Sequence, residues 1–269
     1  MDIEKEREKI AGFIKAGLFG LSFVMLVGCA VMYIPKAVSV FVETDKTANL
    51  KPIQSVECKE KRIALSFDVA GSRKKLEDIL DVLNKQQIKA SFFVTGEWVE
   101  KNPDMIQKLY VQGHDIGNHS QSHKEMNFLT KEECEEEIRL VHDKVKTLTG
   151  VNMNLFRVPY QEVKEEVFQA AQDLGYYLIG WNINSLDWKD YGVDPIINEI
   201  CNNSQLKEGS IILCHTNTRF TREALDKVIT TLKRRGYSFE KVSELIYTTQ
   251  YHVNKEGRQV KNVNNPFNL

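Results

Sequence analysis

The chain contains two histidines at a spacing that suits metal binding. His119 and His123 are separated by three residues, so both imidazoles can lie on one side of a helix or within reach of one tight loop. Residue 120 is a serine, so the string is not the His-Glu-x-x-His of a zinc peptidase, whose glutamate is the general base. The pair therefore predicts a metal site whose general base comes from elsewhere, and Asp68 is the candidate.

Other side chains of the chain could carry acid–base chemistry. His215, if paired with Asp187, could be an oriented imidazolium that donates a proton to a leaving group. Arg157 could hold Asp68 through a charge-assisted contact. Each residue also has a plain structural alternative, as a surface histidine or an ordinary ion-paired arginine, so only their positions taken together favour a catalytic role.

The elements that must position these residues follow from the hydrophobic pattern. From residue 62 onward, short apolar runs alternate with amphipathic segments, which predicts alternating strands and helices. Helix starts are indicated by Asn102-Pro103, by a capping box from Thr130 to Glu133, and by Thr221 as a cap. Strands are expected over 62–67, 91–95, 114–118, 154–157, 176–181, 210–214 and 237–242.

Alternating strands and helices imply a parallel sheet, because parallel strands need helical crossovers. About seven strands in one series predict an α/β fold, a distorted (β/α) barrel. An open doubly wound sheet is the alternative, but neither a GxGxxG nor a Walker A string is present, so nucleotide binding has no support. The reactive side chains all follow predicted strands, at the rim where parallel barrels build their active sites.

Composition limits the classes of function. The 36 Lys and Arg residues against 37 Asp and Glu residues give a net charge of −1, which argues against a general nucleic-acid binder. The five cysteines form no CxxC pair and are expected to be buried or free thiols, with a Cys201–Cys214 bridge as the alternative.

The N-terminal region has the character of a membrane segment. Residues 16–34 are uncharged and, as a helix, would span roughly 28 Å, close to the hydrocarbon thickness of a bilayer. A cleaved signal peptide or a lipoprotein signal ending at Cys29 are alternatives, but the apolar run continues to Ile34 and favours an uncleaved anchor. A weak excess of positive charge before the run predicts a cytoplasmic segment over 1–15. A juxtamembrane linker is then expected over 35–57, with the remaining chain on the extracytoplasmic side of the cell membrane.

Five strings of the chain together resemble the polysaccharide deacetylase family, also known as carbohydrate esterase family 4 or the NodB homology domain. The resemblance runs from about Arg62 to Ile246 and implies a NodB-like domain over 58–250, followed by a polar tail over 251–269. The strings, in family order, are Ser66-Phe67-Asp68, His119-Ser-Gln-Ser-His123, Arg157-Val-Pro-Tyr160, Asp187-Trp188 and Leu213-Cys-His215.

The resemblance implies that the chain hydrolyses N-acetyl groups of a cell-wall glycan, either peptidoglycan or a chitin-like polymer of N-acetylglucosamine. A divalent metal held by His119 and His123, with Asp68 as an alternative further ligand, would polarise the acetyl carbonyl and activate water. Zinc is the expected ion, and cobalt, nickel and manganese are the alternatives. Asp68 would accept the proton of the water, and the backbone N–H of Tyr160 would help to stabilise the oxyanion.

The remaining motif residues take roles around the leaving group. By the same resemblance, His215, oriented by Asp187, would protonate the departing amine. Leu213 and Trp188 would form the wall against the acetyl methyl group.

One position departs from the usual family pattern. Members with the usual first motif have two consecutive aspartates, the second of them a metal ligand, whereas this chain has Val69. In this respect it is similar to a subgroup that lacks the second aspartate. The alternative hypothesis is therefore a catalytically impaired protein that binds cell-wall glycan or serves in wall or spore assembly.

Overall fold

The structure, a computed structural model, describes residues 51–161 and 163–262. Over these residues no helix is long and apolar enough to cross a membrane. The predicted cytoplasmic segment (1–15), the anchor (16–34), Cys29 and the first part of the linker lie outside the described residues.

The described residues alternate between strands and helices from Arg62 onward. The strands are β1 (Ser55–Val56), β2 (Arg62–Val69), β3 (Ser91–Val94), β4 (Asp115–Asn118), β5 (Leu155–Phe156), β6 (Tyr177–Leu178), β7 (Ile183–Asn184), β8 (Ile211–His215), β9 (Ser238–Glu240), β10 (Tyr251–Val253) and β11 (Arg258–Lys261). The helices are α1 (Arg73–Lys85), α2 (Gly96–Lys101), α3 (Pro103–Val111), α4 (Lys131–Thr149), α5 (Glu165–Asp173), α6 (Val193–Cys201), α7 (Thr221–Arg234) and α8 (Val242–Leu245).

The main sheet is parallel and curled. Its strand order is β6-β5-β4-β3-β2-β8-β7. An additional strand, β9, pairs with β2 and is not part of this linear order. The strands at the two edges, β6 and β7, are consecutive in the chain, and Leu178 and Ile183 are close enough in sequence to be at most roughly 17 Å apart. The edges therefore face each other across a narrow gap, and the sheet is an incomplete barrel. This confirms the predicted distorted (β/α) barrel and rules out the open doubly wound sheet.

The alternation of side chains along β2 separates the two cores of the fold. Ile63, Leu65 and Phe67 pack into the large hydrophobic core that the helices share with the outer face of the sheet. On the opposite face, Ala64 belongs to a smaller core inside the barrel. Ser66 and Asp68 continue that inner face toward the carboxyl end of the strand, so the sequence of β2 directs a carboxylate into the mouth of the barrel.

The helix signals read from the sequence were largely correct. Thr130 and Glu133 form the reciprocal capping box at the start of α4, and Gly150 ends that helix in the left-handed conformation, with φ 76°. Pro103 occupies the first turn of α3, after Asn102. The short helix α2 and the two-residue strand β7 were not predicted. Cys58, Cys134, Cys201 and Cys214 are free thiols, so the alternative Cys201–Cys214 bridge is wrong.

The predicted domain limits of 58 and 250 are too narrow. Strand β1 lies inside the predicted linker, and β10 and β11 lie inside the predicted polar tail, where the order β1-β11-β10 makes a small second sheet. Gln259 of β11 is fully buried, and its side chain hydrogen-bonds with both the N–H and the carbonyl of Tyr247. This sheet is stabilised by backbone pairing and by the buried amide of Gln259. Its strands therefore lack a recognisable alternation of apolar and polar residues from which a strand is predicted.

Candidate active site

The predicted site residues converge on one cleft of about 880 Å³ at the carboxyl ends of the barrel strands. Strand order explains the convergence: Arg157 follows β5, His119 follows β4, Asp68 lies near the end of β2, and His215 ends β8. Asp68 and His215 are register partners on adjacent parallel strands. Asp68 therefore lies in the middle, with the histidine pair on one side and His215 on the other.

Asp68 is fixed by a buried ion pair. Its Oδ1 lies 2.7 Å from Nη1 of Arg157, and its Oδ2 lies 3.6 Å from Nε2 of His119. Burial by itself would raise the pKa of the Asp68 carboxyl, but the charge of the adjacent Arg157 outweighs this and lowers the pKa below its ordinary value. Asp68 is consequently a carboxylate at neutral pH, with one oxygen engaged by Arg157 and the other directed toward His119.

Arg157 is held in the barrel interior on every side. Only 1% of the residue is exposed, and Nη2 donates to Oγ of Ser66 at 2.8 Å. Its guanidinium carbon lies 4.0 Å from the ring centroid of Phe93 and 5.3 Å from that of Trp181. A side chain packed and hydrogen-bonded in this way has one available orientation, so the position of its Asp68 partner is fixed as well.

His119 presents one nitrogen to the cleft. Its Nδ1 lies 2.8 Å from the carbonyl oxygen of Arg157, which can only accept, so Nδ1 carries the proton and Nε2 keeps its lone pair. Burial, only partly opposed by the charge of Asp68, lowers the pKa of His119 to about 4. A neutral imidazole whose other nitrogen is fixed by a hydrogen bond has the form of a metal ligand.

The loop that carries His123 is bent by left-handed residues. Ser120 has φ 65° and His123 has φ 55°, and the hydroxyl of Ser120 accepts from the N–H of His123 at 3.0 Å. This turn brings the His123 ring centroid to 4.9 Å from that of His119. Of the two arrangements that the spacing allows, a helix face or a tight loop, the structure has the tight loop.

Glu137, a residue outside the predicted set, supports the same loop. It lies on α4, is only 7% exposed, and accepts both the N–H and the hydroxyl of Ser122, at 2.9 and 2.8 Å. Lys124 lies 3.3 Å from the same carboxylate. Glu137 thus positions the segment between the two histidines from a helix face.

On the other side of Asp68, His215 is oriented by a buried carboxylate. Asp187 is fully buried; its Oδ1 lies 2.8 Å from Nδ1 of His215, and its Oδ2 accepts the backbone N–H of His215 at 2.8 Å. Burial lowers the pKa of His215, but the hydrogen bond and charge of Asp187 more than offset this, so the pKa is raised. The arrangement leaves Nε2 of a protonatable imidazole for the cleft.

Thr221 completes this arrangement in a way that corrects a prediction. The sequence predicts Thr221 as the cap of α7, but it is the first residue of that helix and Phe220 precedes it. Its hydroxyl donates to Oδ2 of Asp187 at 2.6 Å instead. Asp187 itself follows β7, rather than the fifth predicted strand, because that strand is interrupted after Leu178.

The remaining predicted residues line the cleft in different ways. Tyr160 sits at φ 60° in a short turn after β5, and its ring, on a residue that is 60% exposed, lies 4.9 Å from that of His123. Leu213 is buried at 2% exposure, whereas Trp188 is 57% exposed at the lip. The aromatic and aliphatic walls give the cleft an apolar lining around a small polar centre, as is usual for sites that bind organic ligands.

The donors for a metal are fewer than the family pattern implies. Within the two described ranges, no three side chains of His, Cys, Asp or Glu converge as a metal-binding group. Val69 lines the cleft but is 1% exposed and belongs to the hydrophobic core. The donors that fit a metal are Nε2 of His119 and the ring of His123, with Oδ2 of Asp68 nearby.

Comparison with known proteins identifies the class of protein that this fold and cleft define. The sequence model of the polysaccharide deacetylase family matches residues 55–179. The peptidoglycan-N-acetylmuramic acid deacetylase PdaA of Bacillus subtilis is 35% identical over 197 residues, which cover 70% of this chain and 73% of that protein. A peptidoglycan-N-acetylglucosamine deacetylase of Bacillus cereus is 29% identical over 231 residues, covering 81% and 83% of the two chains. The chain therefore belongs to the polysaccharide deacetylase family, as its motif strings predicted.

Solved structures show two kinds of neighbour. The structure of Bacillus subtilis PdaA, a family 4 carbohydrate esterase, has a TM-score of 0.68 and 32% identity, with 73% of this chain and 85% of that chain covered. The protein BA3943 of Bacillus anthracis has a TM-score of 0.69 and 30% identity, with 72% of this chain and 68% of that chain covered, and is described as a pseudoenzyme of the same family. A mutant of BA3943 is described as having restored enzymatic activity. The relatives thus include named deacetylases, which are hydrolases of N-acetyl groups, as well as a protein without activity.

Proposed function

We propose that this chain is a metal-dependent deacetylase that removes N-acetyl groups from cell-wall glycan, with peptidoglycan as the substrate. The observation that carries the proposal is the placement of the ionised Asp68 carboxylate between the neutral His119 and the His215–Asp187 pair, in one cleft. A base, a proton donor and a pair of metal-type donors lie within one pocket, as hydrolysis of an amide requires.

Asp68 and His215 have different acid–base roles in the proposed reaction. Asp68 accepts the proton of the attacking water, since its lowered pKa keeps it ionised. His215, oriented by Asp187, donates a proton to the departing amine. The backbone N–H of Tyr160, which lines the cleft, stabilises the developing oxyanion, and Leu213 and Trp188 contact the acetyl methyl group.

The proposed metal is a divalent ion, with zinc as the first choice, held by His119 and His123. The tautomer and pKa of His119 fit this role, but a third protein ligand is missing because residue 69 is a valine. When bound, such an ion would supply Lewis-acid polarisation of the acetyl carbonyl and a lower pKa for bound water. Two imidazoles alone form a weak site, so we expect a low affinity.

We expect the substitution Val69→Asp to create metal-dependent stability. The new carboxylate is buried at the end of β2, so it lowers the free energy of unfolding of the metal-free protein. A divalent ion that binds only the folded state restores this stability. At a concentration of 100 times its dissociation constant, the ion adds about 2.7 kcal/mol to the free energy of unfolding. The measurement is the thermal midpoint with and without Zn²⁺. Val94→Asp is the matched control, because Val94 is equally buried and is the register partner of Val69 on β3. A Zn²⁺ response no larger in Val69→Asp than in Val94→Asp would show that residue 69 does not face the metal.

The pH profile of kcat/KM should report the two protonation states. Activity rises on the acid side as Asp68 ionises and falls on the alkaline side as His215 loses its proton. Because Asp187 is what raises the pKa of His215, Asp187→Asn should move the alkaline limb to lower pH. Asp190→Asn, three residues along the same loop, is the control and should leave that limb in place. An unshifted limb in Asp187→Asn would remove His215 as the proton donor.

We further propose that residues 16–34 anchor the protein in the cell membrane as a single span, with the deacetylase domain on the extracytoplasmic side. The uncharged run of the sequence supports this. The full-length chain should stay in the membrane fraction after carbonate washing, and Cys29→Ala should not release it. Release by Cys29→Ala would favour the lipoprotein alternative.

The experiment that tests the proposed activity combines metal analysis with acetate release. The purified full chain, incubated with N-acetylated glycan strands and Zn²⁺, should bind metal and release acetate, and His119→Ala should lose both. A wild-type chain that takes up no metal and releases no acetate, yet binds the glycan, would instead support the alternative, a catalytically impaired protein that binds wall glycan. BA3943, a structural neighbour, is a pseudoenzyme.

A further inference from the structure

A cationic side chain lies between two exposed aromatic rings at the lip of the cleft. Nζ of Lys189 is 5.5 Å from the ring centroid of Trp188 and 5.7 Å from that of Tyr191. Trp188 is 57% exposed and Tyr191 is 73% exposed, whereas Lys189 is half-buried. We call these three residues the lip cluster. Such large exposed aromatic groups beside a cleft mark an interaction surface.

The backbone of the lip cluster is held in an unusual conformation. Leu186 and Asp190, on either side of the turn that carries Trp188 and Lys189, have φ 52° and φ 53°. The turn is fixed at its start by the buried Asp187 and at its end by the carboxylate of Asp190, which accepts the N–H of Arg219 at 3.0 Å. Left-handed backbone at a leucine costs free energy and persists only where the surroundings determine it, commonly at functional sites. The rings are thus presented on a rigid support.

The charge of Lys189 has no carboxylate partner across residues 51–161 and 163–262. Asp190 is the adjacent acidic residue, and its carboxylate accepts the backbone N–H of Arg219. The ammonium lies over two aromatic rings, which attract a cation but do not neutralise its charge. An anionic group on a bound ligand would find here a half-desolvated positive charge.

We propose that the lip cluster is an outer saccharide subsite that binds a sugar ring bearing a carboxylate. The aromatic faces would pack on the apolar face of the pyranose, and Lys189 would pair with the carboxylate. The occupant is a further ring of the glycan strand already in the cleft, because Trp188 lines the cleft and also belongs to the cluster. The inference rests on the proposed function, which places a glycan strand in this cleft. Its new element is that the ring bound by the lip cluster carries a carboxylate.

Equilibrium binding to the full chain tests this subsite without requiring catalysis. The probes are a neutral tetramer of N-acetylglucosamine and a peptide-free peptidoglycan tetramer, whose muramic acid rings carry lactyl carboxylates. We expect Tyr191→Ala to weaken both probes about tenfold through lost stacking. We expect Lys189→Gln to weaken only the carboxylate-bearing probe, by about fivefold, and this difference to vanish at high salt.

The controls separate this inference from the proposed activity. Tyr110→Ala removes an aromatic ring, 48% exposed, from helix α3 and should leave both affinities unchanged. If Lys189→Gln weakens both probes equally or neither, or if Tyr191→Ala behaves like Tyr110→Ala, the subsite is refuted. If the expected binding pattern holds while the wild-type chain releases no acetate, the subsite stands and only the proposed catalysis fails.

Discussion

Replacing Asp68 with asparagine should reduce the rate of acetate release by about 10²- to 10⁴-fold, the contribution that a positioned general base makes. Asparagine keeps the size of the side chain and can still accept from Arg157, so the cleft stays intact, but it cannot take a proton from water. Kinetics with N-acetylated glycan should show the loss in kcat, and the dissociation constant for the glycan should remain near that of the wild type.

The control for this prediction is a second carboxylate at the opposite end of the strands. Asp115, on β4, accepts hydrogen bonds from the hydroxyls of Ser91 and Ser243, at 2.8 and 2.7 Å, far from the cleft. Asp115→Asn should leave kcat unchanged, whatever it does to stability. If Asp68→Asn retained the wild-type kcat, the assignment of the base would be wrong.

Replacing Arg157 with methionine should destabilise the fold by about 3–5 kcal/mol, because it leaves a buried carboxylate without its partner. Ser66 and the carbonyls of Ile179 and Gly180 would also lose their donors. Urea unfolding at neutral pH measures this loss. The surface variant Arg73→Met removes a pair to Asp104 in which both side chains are about half exposed, and it should unfold at the wild-type midpoint.

The pH dependence of the Arg157→Met effect identifies its cause. In the wild type the pKa of Asp68 is lowered, so its ion pair contributes stability above the unfolded-state value of about 4 and loses it as pH falls through the folded-state pKa. Without Arg157, burial raises the pKa, and the protonated form removes the penalty at low pH. The difference between the two proteins should therefore shrink toward acid pH. A pH-independent difference would mean that packing, rather than charge, is lost.

Much of the site was predictable because strand ends meet in parallel barrels. Asp68, His119, Arg157 and His215 each end or directly follow a predicted strand, and this placement was enough to bring them together. The pairing of His215 with Asp187 was also expected, and the structure places them in direct contact.

What the sequence did not indicate are the partners that come from distant elements. Glu137 lies on the face of a long helix, where a glutamate is ordinarily solvent-exposed, and nothing in its neighbourhood in sequence indicates a bond to Ser122. Thr221 was predicted to cap a helix, so its hydrogen bond to Asp187 was not expected. Ser66 could have been found, because the alternation of β2 places it on the same face as Asp68.

The strands that escaped prediction are held by backbone pairing rather than by apolar patterning. Strand β7 has two residues, and β10 and β11 have three and four, too short for a period to be recognised. Strand β7 nevertheless matters for the site, because it leads directly to the turn that carries Asp187.

The most direct test of the central claim is the stoichiometry of acetate and free amines formed from N-acetylated peptidoglycan strands by the full wild-type chain with saturating Zn²⁺. We expect one new sugar amine for each acetate released. Acetate without new amines would indicate ester cleavage, and the formation of neither product by a chain that still binds the strands would contradict the claim that this cleft deacetylates glycan.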